Sequence, residues 1–123
     1  MKAEEGYNGI MVGRLKMLNA KAIKRRCADI YISKETIIHI EKKHNKELRQ
    51  LGIDSISYVS LITKNYNQIR QGSGTSILLI IFSKELIHTA AIDLNYCVKK
   101  GIWEVKTAQP RKIRDIMKRK LLK

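Results

Sequence analysis

The sequence predicts an α+β fold in which helices come first and an antiparallel sheet follows. Apolar residues recur at three- and four-residue spacing in the first half of the chain and at two-residue spacing in the second half. The turns between the later segments are too short for the crossover helices of a parallel sheet. With 1 Pro and 7 Gly in 123 residues, the chain is typical of one folded domain. We therefore predict N-terminal helices on a central antiparallel sheet of about four strands, followed by a C-terminal basic helix.

The first predicted helix runs from Gly9 to Arg26. Its apolar positions have helical spacing: Met11, Leu15, Leu18 and Ala22. We expect residues 1–28 to form a helical arm and residues 29–123 to form the main domain. A short β-rich run at residues 29–32 opens that domain.

The most informative predicted helix extends from Lys34 to about Leu51. Ser33 is placed to cap its first turn, and Gly52 is placed to end it. At 100° per residue, one narrow stripe is predicted to face inward: Ile37, Ile40, His44, Leu48 and Leu51. His39 points away from that stripe. A second helix is predicted over residues 54–64, with an aspartate as its cap.

Four strands are predicted next, at residues 66–71, 77–82, 86–96 and 102–108. The continuous apolar run at 77–82 indicates a central strand that is buried on both faces and occupies the middle of the sheet. Strict alternation in the next strand places His88 on its apolar side. In the last strand, alternation predicts one shared face for Trp103, Val105 and Thr107. Pro110 stands where we expect the final helix to begin, with an apolar stripe of Ile113, Ile116, Met117 and Leu121.

The charge of the chain is strongly positive, with 25 Lys and Arg against 11 Asp and Glu and a net charge of +14. This excess is larger than solubility requires in a small domain. It favours a polyanionic partner, and RNA is the partner we expect; anionic lipid and an acidic protein are the alternatives. We find no apolar run long enough for a membrane-spanning segment and no secretory signal.

The three histidines differ in how well their predicted positions suit an acid–base role. His39 is predicted to be a solvated surface residue, and His88 a satisfied core residue. His44 faces inward beside Lys42 and Lys43, which favours an acid–base role, although a buried structural histidine explains the pattern equally well. The sequence contains no HExxH and no paired Cys/His spacing, and its two cysteines are far apart. A metal nuclease is therefore disfavoured.

RNA can be cleaved without a metal because its 2′-hydroxyl can attack the neighbouring phosphorus. The reaction needs a proton acceptor, a proton donor and positive or hydroxyl groups near the phosphoryl oxygens. The chain offers these side-chain types at His44, Arg70, Lys99, Lys100, Thr107 and Arg111. Each also has an ordinary structural explanation on a strand or turn.

Residues 29–123 resemble the barnase–EndoU–colicin–RelE superfamily of small ribonucleases, in particular the nuclease domains of phage head proteins and of polymorphic and contact-dependent bacterial toxins. The similarity lies in the order of several segments: Ile30-Tyr31-Ile32, Ile38-His39-Ile40-Glu41-Lys42-Lys43-His44, Tyr66-Asn67-Gln68-Ile69-Arg70, the hairpin Ile77–Phe82 with His88–Tyr96, and Trp103-Glu104-Val105-Lys106-Thr107-Ala108-Gln109-Pro110.

The resemblance implies a metal-independent endoribonuclease with no cofactor that cleaves tRNA or another structured RNA and leaves a 2′,3′-cyclic phosphate. His44 matches the helical histidine, Thr107 the hydroxyl residue of the last strand, and Arg70 the phosphate-facing arginine. We expect the RNA-binding residues to be Lys43, Tyr66, Lys99, Lys100, Lys106 and Arg111.

The resemblance also implies a biological setting. The expected partners are RNA and an acidic immunity protein. The expected location is the cytoplasm of a target cell, reached as the C-terminal part of a larger secreted or phage protein. Two other hypotheses remain open on the residues alone: a non-catalytic RNA- or DNA-binding module, and a phage accessory protein.

Overall fold

The computed structural model describes residues 9–15, 29–73, 76–82, 87–93 and 102–122, except the side chains of Ile102 and Trp103. Helices and a sheet are both present, so the predicted α+β class is confirmed. The elements in chain order are β1 (Gly9–Arg14), β2 (Asp29–Ser33), α1 (Lys34–Leu51), α2 (Ser55–Asn65), β3 (Gln68–Gln71), β4 (Ser76–Ile81), β5 (Ile87–Asp93), β6 (Ile102–Arg111) and α3 (Ile113–Met117).

The described strands form one six-stranded sheet in the order β1-β2-β6-β5-β4-β3. The four predicted strands are β3 to β6, and each pairs antiparallel with its neighbour, as expected. The sheet is larger than predicted because β2 adds to β6 in parallel and β1 adds to β2 in antiparallel fashion. The prediction of a purely antiparallel sheet was therefore wrong at β2. The helices that follow β2 carry the chain away and allow a later strand to return beside it in the same direction.

The helix predicted to begin at Gly9 is wrong over its first six residues, which form β1. Tertiary contacts override the helical spacing there. Val12 is buried in the core, and the Thr63 hydroxyl donates to its carbonyl at 2.6 Å. At Gly13 an added Cβ would lie 2.5 Å from Thr63 Oγ1, so glycine permits this close approach of β1 to α2. Residues 16–28 of the predicted arm lie outside the described residues. The division of the chain at residue 28 stays a prediction.

The capping signals of the first two helices are confirmed. Ser33 Oγ accepts from the Thr36 amide at 3.2 Å, and Asp54 Oδ1 accepts from the Ser57 amide at 2.7 Å. Gly52 ends α1 in the left-handed conformation, with φ of 67°. Leu51 was predicted to face inward but is exposed. Leu48, which follows the kink at His44, is buried as predicted, so the departure is confined to Leu51, the last residue of α1.

The sheet has two different faces. On the first, which we call the α1–α2 face, the two long helices cover the main core, which includes Leu79, Ala90 and Ala108. On the second, the α3 face, α3 covers a smaller apolar cluster of Leu78, Ile80, Ile87 and Ile116. β4 contributes to both clusters, which confirms its predicted burial on both faces. Its predicted position in the middle of the sheet was wrong, because β2 and β1 extend the sheet beyond β6 and leave β4 one strand from the edge.

The final helix starts later than predicted, because Pro110 lies within β6 opposite His88. Since β2 pairs with β6 only as far as Glu104, the end of β6 has a strand on one side alone, where a proline is tolerated. α3 is five residues long, and Ile116 is its buried residue. The rest of the predicted apolar stripe is exposed: Ile113, Met117 and Leu121.

Candidate acid–base site

His44 lies at the kink of α1, with non-helical torsion angles of φ −122° and ψ 20°. Its side chain is 12% exposed, and its Nδ1 lies 3.9 Å from Glu47 Oε1. Burial lowers the pKa of His44 below its ordinary value, and the Glu47 carboxylate partly opposes this by raising it. The predicted inward orientation of His44 is therefore correct, and its ring borders on solvent.

Thr107 lies on the opposite face of the sheet from His44. Val105 pairs with Ile92 while Thr107 pairs with Ala91, so β6 has one residue more than β5 across this stretch. This β-bulge puts Val105 and Thr107 on opposite faces, since directly paired residues point to the same side. The prediction of one shared face for Val105 and Thr107 was therefore wrong. Alternation read from the sequence cannot detect an extra residue in one strand.

Arg70 also lies on the α3 face, where it is buried and holds the C-terminal segment. Its guanidinium donates to the Arg119 carbonyl at 2.8 Å and to Gln68 Oε1 at 3.1 Å. Backbone hydrogen bonds tie the same segment to β3, from the Gln71 amide to the Lys120 carbonyl at 2.8 Å and from the Leu122 amide to the Ile69 carbonyl at 2.7 Å. These contacts give Arg70 a structural task, and they do not bring it to His44.

The other predicted RNA-binding residues are scattered. Lys43 is exposed on α1, Lys106 is exposed at the bulge of β6, and Tyr66 is half-buried after α2. Arg111 is half-buried on the α3 face. Lys99 and Lys100 lie outside the described residues.

His88, which the sequence indicated as a core residue, is on the same face as His44. It pairs with Ile81 on β4, whose side chain packs on the core beneath α1 and α2. The Tyr58 hydroxyl of α2 lies 3.0 Å from His88 Nδ1, and the two rings meet edge to face, with centroids 5.5 Å apart. Burial lowers the pKa of His88. The ring is therefore held in place by Tyr58 and is easier to deprotonate than an exposed histidine.

Tyr58 is the functional candidate that the sequence reasoning missed. It is fully buried, and burial together with the Glu47 carboxylate raises the pKa of its hydroxyl, which keeps it protonated. The sequence did contain a signal for the burial of Tyr58: it stands four residues before the apolar Ile62 and therefore lies on the same side of the helix. That spacing indicates burial, but it does not identify a hydrogen-bond partner thirty positions away.

We refer to His44, Glu47, Tyr58 and His88 as the histidine cluster. Glu47 connects its two halves, because its charge acts on both His44 and Tyr58. Within the described part of the chain, neither histidine Nε2 has a hydrogen-bond partner. The cluster therefore combines two titratable rings, each held through Nδ1, with a carboxylate and a protonated phenol.

A cleft of about 540 Å³ lies near the cluster, at the junction of α1 and α2. Its polar lining comes from both helices: Glu41, Asn45, Arg49, Asp54 and Ser55. Glu41 accepts from the Ser55 hydroxyl at 2.9 Å across this junction. The cleft adjoins the α1 segment that carries His44, but members of the histidine cluster do not line it.

No group of three or more His, Cys, Asp or Glu side chains among the described residues is arranged to hold a metal ion. Within the same part of the chain, none of the helices has the length and apolar character needed to cross a membrane. Comparison with protein-family models, curated proteins and solved structures finds no match for this chain. The proposals below therefore rest on the residues and their geometry.

Proposed function

We propose that this protein is a metal-independent endoribonuclease that uses His44 and His88 to move protons during attack of the RNA 2′-hydroxyl on the adjacent phosphorus. The observation that carries the proposal is the histidine cluster: both rings lie on the α1–α2 face, and contacts from Glu47 and Tyr58 hold them. Two imidazoles provide the acceptor and the donor that this reaction requires.

The surroundings favour different roles for the two histidines. Burial lowers the pKa of both histidines, and the Glu47 carboxylate opposes this at His44, which makes His44 the better candidate to protonate the leaving 5′-oxygen. His88 has a lowered pKa and, among the described residues, no carboxylate contact, so it is the candidate that accepts the proton of the 2′-hydroxyl. The Tyr58 hydroxyl fixes the position of the His88 ring through Nδ1 and leaves Nε2 as the ring nitrogen that can contact RNA.

The positive charge of the chain supports an RNA substrate. The net charge of +14 attracts a phosphate backbone, and α1 places exposed cations beside His44 at Lys42, Lys43 and Lys46. The reaction consumes no cofactor, since attack by the 2′-hydroxyl breaks the bond to the 5′-oxygen and forms a 2′,3′-cyclic phosphate. A structured RNA such as tRNA is the expected substrate, and an acidic immunity protein is the expected inhibitor.

The test is incubation of the purified protein with total tRNA in excess chelator. We expect cleavage, 5′-hydroxyl and 2′,3′-cyclic phosphate ends, and a mapped cut site that is blocked when its 2′-hydroxyl is replaced by hydrogen. Cleavage of the 2′-deoxy site, or cleavage only after a divalent metal is added, would contradict the mechanism.

A second candidate function is a non-catalytic RNA-binding module. It is favoured by the separation of His44 from Arg70 and Thr107, and by the Tyr58–His88 contact, which also satisfies a buried polar pair. In that case the protein binds tRNA with a strong salt dependence and leaves it intact in the assay above.

A further inference from the structure

Arg111 is unusual because part of its guanidinium is buried without a partner. Its Nε is the one buried side-chain nitrogen or oxygen, among the described residues, that has no hydrogen bond. A buried donor without an acceptor destabilises the fold, because it has lost its hydrogen bonds to water. An acceptor that arrives from outside the chain would remove this cost.

The surroundings of Arg111 are positively charged. Burial and the nearby charge of Arg119 both lower the pKa of the Arg111 guanidinium, and Asp115 opposes them only in third place. Arg119 uses one nitrogen for a long hydrogen bond of 3.4 Å to the Gln71 carbonyl. The charge of Arg119 therefore acts on the Arg111 guanidinium more strongly than the charge of Asp115 does. An oxyanion stabilises such an arrangement.

The position of Arg111 relates it to the histidine cluster. Arg111 pairs with Ile87 on the α3 face, and the adjacent residue pair is Pro110 with His88, on the α1–α2 face. The two side chains thus leave the same end of the β5–β6 pair toward opposite faces. Neighbouring positions along a strand are about 3.3 Å apart. An RNA strand that crosses this end of the sheet can therefore meet both side chains.

We propose that Arg111, assisted by Arg119, binds a backbone phosphate of the RNA, next to the phosphate on which the histidine cluster acts. The terminal nitrogens of the arginine fork meet one phosphate oxygen, and Nε donates to a second oxygen once the side chain turns toward solvent. This inference rests on the proposed ribonuclease function for its substrate, and it assigns Arg111 to binding and the histidines to chemistry.

The direct test follows the Arg111 Nε–Hε signal by NMR. We expect inorganic phosphate to shift this signal saturably, and a non-cleavable 2′-O-methyl oligonucleotide to compete for the same site. If phosphate shifts the signal but the oligonucleotide does not compete, the site binds free phosphate and the proposal is overturned. An Nε–Hε signal that responds to neither probe overturns it as well. This measurement requires no enzymatic activity, so it is independent of whether the ribonuclease proposal fails.

The variant test compares Arg111→Gln with Arg114→Gln, which removes the same charge from an exposed position of α3. We expect Arg111→Gln to reduce the slope of log K against log salt for the oligonucleotide by about 0.7, the value for one phosphate contact to a single strand. It should raise KM and leave kcat unchanged. Equal slopes for the two variants would contradict the proposal. Melting curves identify a folding defect, and in that event the NMR titration of the unsubstituted protein decides the question.

Discussion

The two faces of the sheet differ in the chemistry they carry. The α1–α2 face holds the histidine cluster, in which Glu47 lies near His44 and the Tyr58 hydroxyl contacts His88. The α3 face holds Arg70, Thr107 and Arg111, which bear charge or hydroxyl groups but include no histidine among the described residues. The residues assigned to one site from the sequence are thus divided by the sheet.

This division shows why residues that the sequence places on one face of a sheet can lie on two. A bulge of one residue in β6 places Thr107 on the opposite face from Val105. Arg70 donates a hydrogen bond to the C-terminal segment and so contributes to the structure. Under the two proposals, proton transfer and phosphate binding need not share a face, because an RNA strand that crosses the end of the β5–β6 pair can meet His88 on one face and Arg111 on the other.

The largest expected effect is loss of activity in His44→Ala. Removal of a general acid or base lowers rates by about 10²- to 10⁴-fold, while RNA affinity and melting temperature should stay nearly unchanged. His39→Ala is the matched control, since it removes an exposed histidine from the same helix. The opposite result is a His44→Ala variant that melts at a much lower temperature and keeps its activity. It would show that His44 is a core residue and that the α1–α2 face does not carry the reaction.

The second prediction is that Arg70→Ala destabilises the fold by about 1–3 kcal/mol, because the Arg119 carbonyl loses its partner and the C-terminal segment its anchor. Urea unfolding measures this free energy. The exposed Arg114→Ala variant should stay within about 0.5 kcal/mol of the unsubstituted protein. If Arg70→Ala keeps its stability but loses more RNA affinity than Arg114→Ala, Arg70 binds phosphate.

Tyr58→Phe should lower kcat about tenfold, equivalent to about 1.4 kcal/mol, with KM unchanged. The substitution keeps the ring and removes the hydroxyl that lies 3.0 Å from His88 Nδ1. The nitrogen chemical shifts of the His88 ring should change from the values of a single tautomer to the averaged values of a mixture of both tautomers. Unchanged shifts together with unchanged kcat would mean that the hydroxyl only fills a polar site in the core.

The smallest expected effect is a fall in stability as the pH drops. His44 and His88 have lowered pKa values in the folded protein, so the unfolded chain takes up protons first, near pH 6.5. The contribution of these two histidines to the free energy of unfolding is fully present above about pH 6.5, and it is lost as the pH falls toward their pKa values in the folded protein. Urea unfolding at several pH values should show this decrease.

The matched variants for the pH prediction are His44→Gln with His88→Gln, and His39→Gln as the control. The double variant should show a shallower pH dependence than the control. An equal dependence in both would assign the decrease to other groups. The same lowered pKa values predict a bell-shaped rate profile for the unsubstituted protein, with its maximum on the acidic side of neutrality.

Local signals in the sequence predicted much of the architecture. The caps at Ser33 and Asp54 and the stop at Gly52 were correct, because these features depend on a few adjacent residues. The alternation around His88 predicted its face correctly, since the period of a strand is fixed by its backbone. The charge of the chain is likewise a property of composition alone.

Long-range pairing decided what the sequence did not. Gly9–Arg14 became a strand because β2 offers a partner edge and α2 a surface for Val12, both distant in the chain. The bulge beside Thr107 and the extension of β6 through Pro110 depend on register between strands, which no single segment specifies. The sequence alone determined the fold class, the main caps and the positive charge. Tertiary structure alone determined that His44 shares a face with Tyr58 and His88, because the packing of α1 and α2 on the sheet chooses which side chains meet.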